Sequence, residues 1–216
     1  MNRTEDNNDG KVGSREYIAS IINYYFKDKK ELWMFDFLGA GIGAEYYLKK
    51  CNCIKYITLL DYKSCKYKKF LLESYRDLQW NNLDKLIEVF NLDINEYLDD
   101  VCPTCYDIFN LDFCTYFYDN GKDNCSSSII NKSFETNVIA NNGLLFCTFQ
   151  TKGLGVNFGK SKHEVITDKD TIIKKVIAIG KQNNYDVKYN DISYTYKSSK
   201  SSEMINICFE VKKEAK

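Results

Sequence analysis

Short apolar runs alternate with amphipathic stretches along the chain, and this order constrains the fold more than any other feature. Five apolar runs have the length and the β-branched or aromatic content of buried strands: residues 32–38, 53–61, 86–93, 105–113 and 143–149. Helical patterns lie between or after them at 44–51, 63–78, 127–140 and 168–184. Because parallel strands need long crossovers, this order predicts a mostly parallel sheet with helices on both faces.

The chain closes with a different pattern. Two further strand-like runs, 185–197 and 203–213, are joined by the polar segment SSKSS. Such a short polar connection predicts an antiparallel hairpin. We therefore predict an α/β, single-domain, Rossmann-like three-layer sandwich, with a seven-stranded, mostly parallel sheet that ends in a C-terminal antiparallel hairpin.

The N-terminal 14 residues, MNRTEDNNDGKVGS, are polar and show no period, so we predict a flexible tail over 1–14. Ser14 suits a helix N-cap and precedes the amphipathic run 15–26, which predicts an N-terminal helix. No repeat, low-complexity tract or linker divides the remainder. We predict that 15–216 forms one domain.

Charge and cysteine usage limit the classes of function. The 30 Lys and Arg residues balance the 30 Asp and Glu residues, which argues against a surface wholly devoted to binding a polyanion. The odd count of nine cysteines and the lack of a signal peptide predict a reducing intracellular compartment such as the cytoplasm. No apolar run approaches the roughly 20 residues that cross a bilayer, so no membrane segment is predicted.

Metal chemistry is not predicted. Cys102 and Cys105 form the one C-x-x-C motif, and His163 is the one histidine. A structural zinc site needs four ligands, and these residues do not supply them.

The stretch FDFLGAGIGAEYYLKK, residues 35–50, places three glycines between the first strand and a helix. Glycines at such a corner let a ligand approach the backbone closely. The G-x-G-x-G spacing differs from the G-x-G-x-x-G of dinucleotide binders and disfavours a nicotinamide-dependent oxidoreductase. It suits a ligand that carries a nucleoside and an amino acid, although a tight turn alone would also explain it.

Two acidic residues follow the next strands. Asp61 ends the second strand, where a carboxylate can accept both hydroxyl hydrogens of a ribose. Asp93 ends the third strand beside Ile94, where the pair can hold and flank an adenine. Each aspartate could instead cap the segment that follows it.

These pieces together resemble the class I S-adenosylmethionine-dependent methyltransferases over about residues 15–213. The matching segments are FLGAGIG, ITLLD, FNLDI, YDIFNLDF, GLLFCTF and the closing hairpin. The resemblance implies strand order 3-2-1-4-5-7-6 and S-adenosyl-L-methionine as cofactor. It implies cofactor contacts from Asp36, Gly39, Ala40, Gly41, Gly43, Asp61, Tyr62, Asp93, Ile94 and Asn110.

The first acidic residue departs from the pattern of this family. An acidic residue commonly stands two positions before the first glycine, where this chain has Phe37; its acid is Asp36, one place earlier. Because strand side chains alternate between faces, the shift predicts a carboxylate on the opposite face unless a bulge intervenes.

The end of the fourth strand, YDIFNLDFCTYFYDNG, is where the resemblance places substrate contacts. Asp112 is the candidate to position the methyl acceptor or take its proton. Asn110, Phe113 and Tyr116 are expected to shape the pocket. The N/D-P-P-Y/F motif of amino-methylating members is absent, and in the alternative interpretation Asp112 caps a loop while Phe113 fills the core.

A long segment after the fifth strand, QTKGLGVNFGKSKHEVITDKD, is predicted to be a loop that covers the substrate. Lys152 and other lysines make it basic, and Phe158 offers an aromatic face, a combination that suits nucleic acid. Protein and small-molecule substrates, a protein partner and a homodimer stay open. With the resemblance, this segment predicts an enzyme that transfers a methyl group from S-adenosylmethionine to a nucleic acid, RNA or DNA. A non-catalytic protein of the same fold, acting as a binding partner or scaffold, is the alternative function.

Overall fold

The computed structural model describes residues 9–38, 42–61, 76, 79–80, 84–101, 105–119, 125–152, 165–198 and 202–214. Its strands, in chain order, are β1 Leu32–Phe37, β2 Ile54–Leu60, β3 Leu86–Phe90, β4 Tyr106–Thr115, β5 Phe117–Tyr118, β6 Ile139–Lys152, β7 Val165–Ile166, β8 Tyr185–Lys197 and β9 Glu203–Lys213. Seven of them form one sheet in the order β3-β2-β1-β4-β6-β9-β8. The short strands β5 and β7 pair separately and antiparallel.

The sheet topology agrees with the sequence-based prediction. Strands β3, β2, β1, β4 and β6 pair parallel to one another, and β9 pairs antiparallel with both β6 and β8. With β5 and β7 set aside, this order is the predicted 3-2-1-4-5-7-6. The α/β class, the Rossmann-like sheet and the C-terminal hairpin are thereby confirmed.

The described helices are α1 Asp9–Tyr25, α2 Ile42–Lys50, α3 Ile94–Glu96, α4 Ser126–Glu135 and α5 Lys169–Gln182, and a π-helical turn, Tyr97–Val101, follows α3. None of these helices is long and apolar enough to cross a membrane. The predicted basic helix 63–78 lies outside the described residues except for Arg76, which is helical.

Two predicted helix boundaries are wrong. The helix α1 begins at Asp9, so its predicted start at Ser14 is five residues late and the predicted tail is too long. The helix predicted over 127–140 ends at Glu135 because Asn137 takes a positive φ of 58°, after which the chain enters β6.

Side-chain alternation along the strands divides the core into two layers. Ile22, Met34, Leu48, Ile108 and Phe146 belong to a core between the sheet and helices α1 and α2, here the α1-side core. Residues such as Phe35, Phe109, Leu145, Ile172 and Phe209 belong to a core under α4 and α5, here the α5-side core. This period of two decides which side chains of each strand can reach a common site.

Two glycines let the start of α1 lie close against β8. A Cβ added at Gly13 would stand 2.0 Å from the hydroxyl oxygen of Tyr194, and one added at Gly10 would stand 2.7 Å from the carbonyl oxygen of Lys197. One turn further on, the Tyr17 hydroxyl donates to the Ile192 carbonyl oxygen at 2.8 Å. The first turns of α1 are therefore fixed on the C-terminal hairpin.

Candidate active site

Polar side chains interrupt the α1-side core where the parallel strands end. Asp112, Thr148 and Asn206 are direct cross-strand neighbours on β4, β6 and β9. Asn110, two residues before Asp112, lies on the same face and donates from Nδ2 to Asp36 Oδ1 at 2.8 Å. Ligands in open parallel sheets bind beyond these carboxyl ends, so this row marks the candidate site.

A cavity of about 90 Å³ opens over the polar row. Its far wall comes from α1, through Lys11, Ser14 and Arg15, and from α2, through Gly43. Leu38 and Ile42, which also line the cavity, flank residues 39–41, so this volume applies to the described residues alone. A cavity of this size admits a reactive group, whereas the pockets that hold whole drug-sized ligands measure about 300–1,000 Å³.

Asp36 faces this cavity, contrary to the expectation that its shifted position would turn it away. The pairing of β1 with β2 is regular from Trp33 to Phe37, so no bulge is involved. The site instead lies on the face that Asp36 already occupies: a Cβ added at Gly43 would stand 3.6 Å from Asp36 Oδ2. Phe37 packs against the α5-side core.

Burial changes the acid–base behaviour of Asp36. Its side chain is 4% exposed, and loss of solvent, together with repulsion from nearby Asp112, raises its pKa to about 8. Hydrogen bonds from Asn110 and from the Phe37 backbone amide, with the charge of Arg15, oppose the rise. Asp36 is therefore largely protonated at neutral pH, and such a carboxyl can donate a hydrogen bond.

Tyr47 of α2 lines the same cavity and is fully buried. Burial, and then the charges of Asp36 and Asp112, hold its pKa well above the usual range, while Arg15 acts in the opposite direction. Tyr47 therefore keeps its proton at neutral pH.

The residues predicted to hold a nucleoside differ in their surroundings. Asp61 is buried at the end of β2, with its backbone amide donating to the Phe90 carbonyl oxygen at 3.1 Å. Asp93 is the N-cap of α3 and forms a capping box with Glu96. Its Oδ1 accepts from both nitrogens of Asn95, at 2.9 and 3.1 Å. Ile94 is buried in the α5-side core. The geometry of Asp93 thus matches the capping alternative.

The substrate residues predicted on and after β4 and on β6 do not all meet at the cavity. Asp112 lines it, but Phe113 lies on the opposite face, with its ring 5.3 Å from that of Phe149. Tyr116 is buried outside the cavity wall, and its hydroxyl accepts from Gln150 at 3.2 Å. Lys152 is exposed and pairs with Glu203 at 3.5 Å.

Five predicted site residues lie outside the described residues: Gly39, Ala40, Gly41, Tyr62 and Phe158. Their assigned roles stay predictions.

Sequence reasoning missed most of the cavity lining, including the polar residues Ser14, Arg15, Thr148 and Asn206. Thr148 and Asn206 carried a usable signal, because each is a polar residue within a buried, mostly apolar run of its strand. Ser14 and Arg15 carried none, since their place depends on how α1 packs.

No family model matches this sequence, and no characterised protein matches it at the sequence level. Solved structures do match the fold. TYW2 from Pyrococcus horikoshii, in complex with MeSAdo, is 13% identical with a TM-score of 0.60, over 96% of this chain and 65% of that one. Trm5b from Pyrococcus abyssi is 11% identical with a TM-score of 0.60, over 93% of this chain and 48% of that one.

A third structure, the methyltransferase domain of bacterial CtHen1, is 14% identical with a TM-score of 0.59 and is matched over nearly its whole length, 94% of this chain and 97% of that one. This chain thus spans less than two thirds of the TYW2 and Trm5b chains but nearly all of the CtHen1 domain. The chain has the fold of the class I S-adenosylmethionine-dependent methyltransferases.

Proposed function

We propose that this protein is a methyltransferase that uses S-adenosyl-L-methionine. The observation that carries the proposal is the cluster of Asp36, Asn110 and Asp112, which lines a cavity beside Gly43 at the carboxyl ends of β1 and β4. The TYW2 structure of the same fold holds MeSAdo, an analogue of that cofactor.

The residues at and near the cavity fit this cofactor. Gly43 and Asp36 border the cavity at the glycine corner, where they would face the methionine part. Asp61, buried at the end of β2, is the candidate for the ribose hydroxyls. The cofactor supplies an electrophilic methyl group on a sulfonium, and the protein has mainly to hold the acceptor at attack distance.

Asp112 is the candidate to position the acceptor and to take its proton. It lies across from Thr148 and lines the cavity together with Asp36. Asp36 holds a proton at neutral pH and can donate a hydrogen bond, so the two carboxyl groups have different tasks.

Nucleic acid is the acceptor class that we propose. The basic, Phe158-containing segment 153–164 begins where β6 ends and leads into β7. β7 pairs with β5, which directly follows β4, so both described ends of the segment lie near the strands that carry Asp112 and Thr148. Basic residues beside an aromatic ring suit a nucleic-acid backbone and an unstacked base.

A second candidate function, a non-catalytic scaffold of the same fold, is favoured by two observations. The cavity that the described residues form is small, about 90 Å³, and Asp93 already accepts two hydrogen bonds as a helix cap. Both features would also be found in a protein that has kept the fold and lost the cofactor.

Calorimetric titration of the purified protein with S-adenosylhomocysteine separates the two candidates. Binding heat and a matching rise in the thermal unfolding temperature are expected for the enzyme. Absence of both effects would leave the scaffold, and a parallel titration with NAD tests the disfavoured oxidoreductase.

Incubation with S-adenosylmethionine labelled in the methyl group tests the acceptor class. Total RNA, DNA, protein and small-molecule fractions are offered separately. Label in RNA or DNA is expected, and label confined to protein or small molecules would overturn the nucleic-acid proposal.

A further inference from the structure

Asn206 is a buried polar residue in the middle of the apolar run INICF on β9. Its relative exposure is 0%. Its Nδ2 donates to Ser14 Oγ on α1 at 3.1 Å, while its Oδ1 has no hydrogen-bond partner among the described residues. A buried acceptor without a partner is costly, so stability alone does not explain an asparagine here.

Asn206 lines the cavity of the candidate site. It is the direct cross-strand neighbour of Thr148, which is in turn the neighbour of Asp112. The row therefore connects Asn206 with the residue proposed to position the acceptor. Ser14 of α1, which also lines the cavity, accepts the hydrogen bond from Nδ2, so the amide of Asn206 lies between α1 and the candidate site.

A second buried oxygen in this cavity has the same property. Asn110 is 3% exposed, and its Oδ1 also has no partner within the described part of the chain. Asn110 lies on β4 and Asn206 on β9, with β6 between them and an offset of two residues in register, so the two oxygens are separate acceptors on the cavity lining. Each of them can accept a hydrogen bond from an N–H or O–H group of a bound molecule.

We propose that Asn206 determines acceptor specificity by accepting a hydrogen bond from an N–H or O–H group of the methyl acceptor, such as the exocyclic amine of a base. This inference rests on the proposed methyltransferase function. It assigns Asn206 to the acceptor and not to the cofactor. Asn206 is on β9, which β4 and β6 separate from β1, the strand that carries Asp36.

The test compares wild-type protein with Asn206→Leu, which has a similar size and no polar atom. The affinity for S-adenosylhomocysteine is expected to stay within about twofold of wild type. The rate of methyl transfer to the fraction that wild type labels best is expected to fall about tenfold, the effect of one lost hydrogen bond.

Asn190→Leu is the matched control, because Asn190 lies on the same hairpin, bonds to Glu210 at 3.2 Å and does not line this cavity. It should change neither quantity. If Asn206→Leu does not fold, as judged by thermal unfolding, Asn206→Ala, which only removes atoms, is measured in its place with the same expectation.

A failure of the proposed function can be distinguished from a failure of the Asn206 inference. Wild-type protein that neither binds S-adenosylhomocysteine nor transfers label overturns the proposed function and this inference together. An active wild type with an unchanged Asn206 variant overturns this inference alone. So does a variant that loses affinity for S-adenosylhomocysteine as strongly as it loses rate, because Asn206 would then serve the cofactor.

Discussion

The substitution Asp36→Asn should make the protein more stable, and increasingly so as the pH rises. The ordinary pKa of the Asp36 carboxyl is 3.8, and burial in the native protein raises it to about 8. Between these values the native state holds a proton that the unfolded chain has lost. Its contribution to stability is therefore complete at acid pH and declines as the pH rises toward 8. Asparagine keeps the acceptor oxygen for Asn110 and for the Phe37 amide but does not titrate.

The size of this stability change follows from the difference in bound protons between the native and the unfolded state. Each pH unit between the two pKa values changes the free energy of unfolding by up to about 1.4 kcal/mol. From pH 5 to pH 7, the stability of the variant relative to wild type should rise by about 2.5 kcal/mol. That change is a large part of the roughly 5–15 kcal/mol that holds a typical domain folded.

The assay is urea unfolding at pH 5, 6, 7 and 8, with the fluorescence of Trp33, whose ring stacks on Tyr56 at 4.2 Å, as the probe. Asp84→Asn is the control for loss of one negative charge, because Asp84 is an exposed carboxylate in a surface pair with Lys55. A difference between Asp36→Asn and wild type that stays constant from pH 5 to pH 7 would refute the argument. Asp36 would then titrate over the same range in both states.

Three further substitutions test packing, capping and cofactor binding. Gly180→Ala places a Cβ 2.2 Å from Val187 Cγ2. Despite the better helix propensity of alanine, it should lower the free energy of unfolding in urea by about 1–3 kcal/mol. The double variant with Val187→Ala should recover part of this loss, and a single variant that is more stable than wild type would contradict the packing. Asp93→Ala removes the capping box and should cost about 1 kcal/mol of stability; an unchanged midpoint would show that the cap contributes nothing. Asp61→Ala should weaken S-adenosylhomocysteine binding by about tenfold or more, with an unchanged circular dichroism spectrum; equal affinity would refute the ribose role.

The candidate site could be anticipated only in part. Asp36, Gly43, Asn110 and Asp112 were predicted site residues, and the structure brings them to one cavity. They were accessible to sequence reasoning because each lies at a strand end or in the glycine corner, and parallel strands end at one edge of a sheet. Phe113 was misplaced because a neighbour of Asp112 in sequence must point to the other face.

The sequence by itself determined the succession of the seven strands of the main sheet along the chain, the closing hairpin and the alternation of side chains between the two faces of each strand. These features are written in residues a few positions apart, through periods of 2 and 3.6. Tertiary structure alone decided that α1 covers the site, that Asn206 meets Ser14 across 192 positions, and that Asp36 is buried enough to keep its proton. Such properties depend on strand register and on which helix excludes water, and no local pattern encodes either of them.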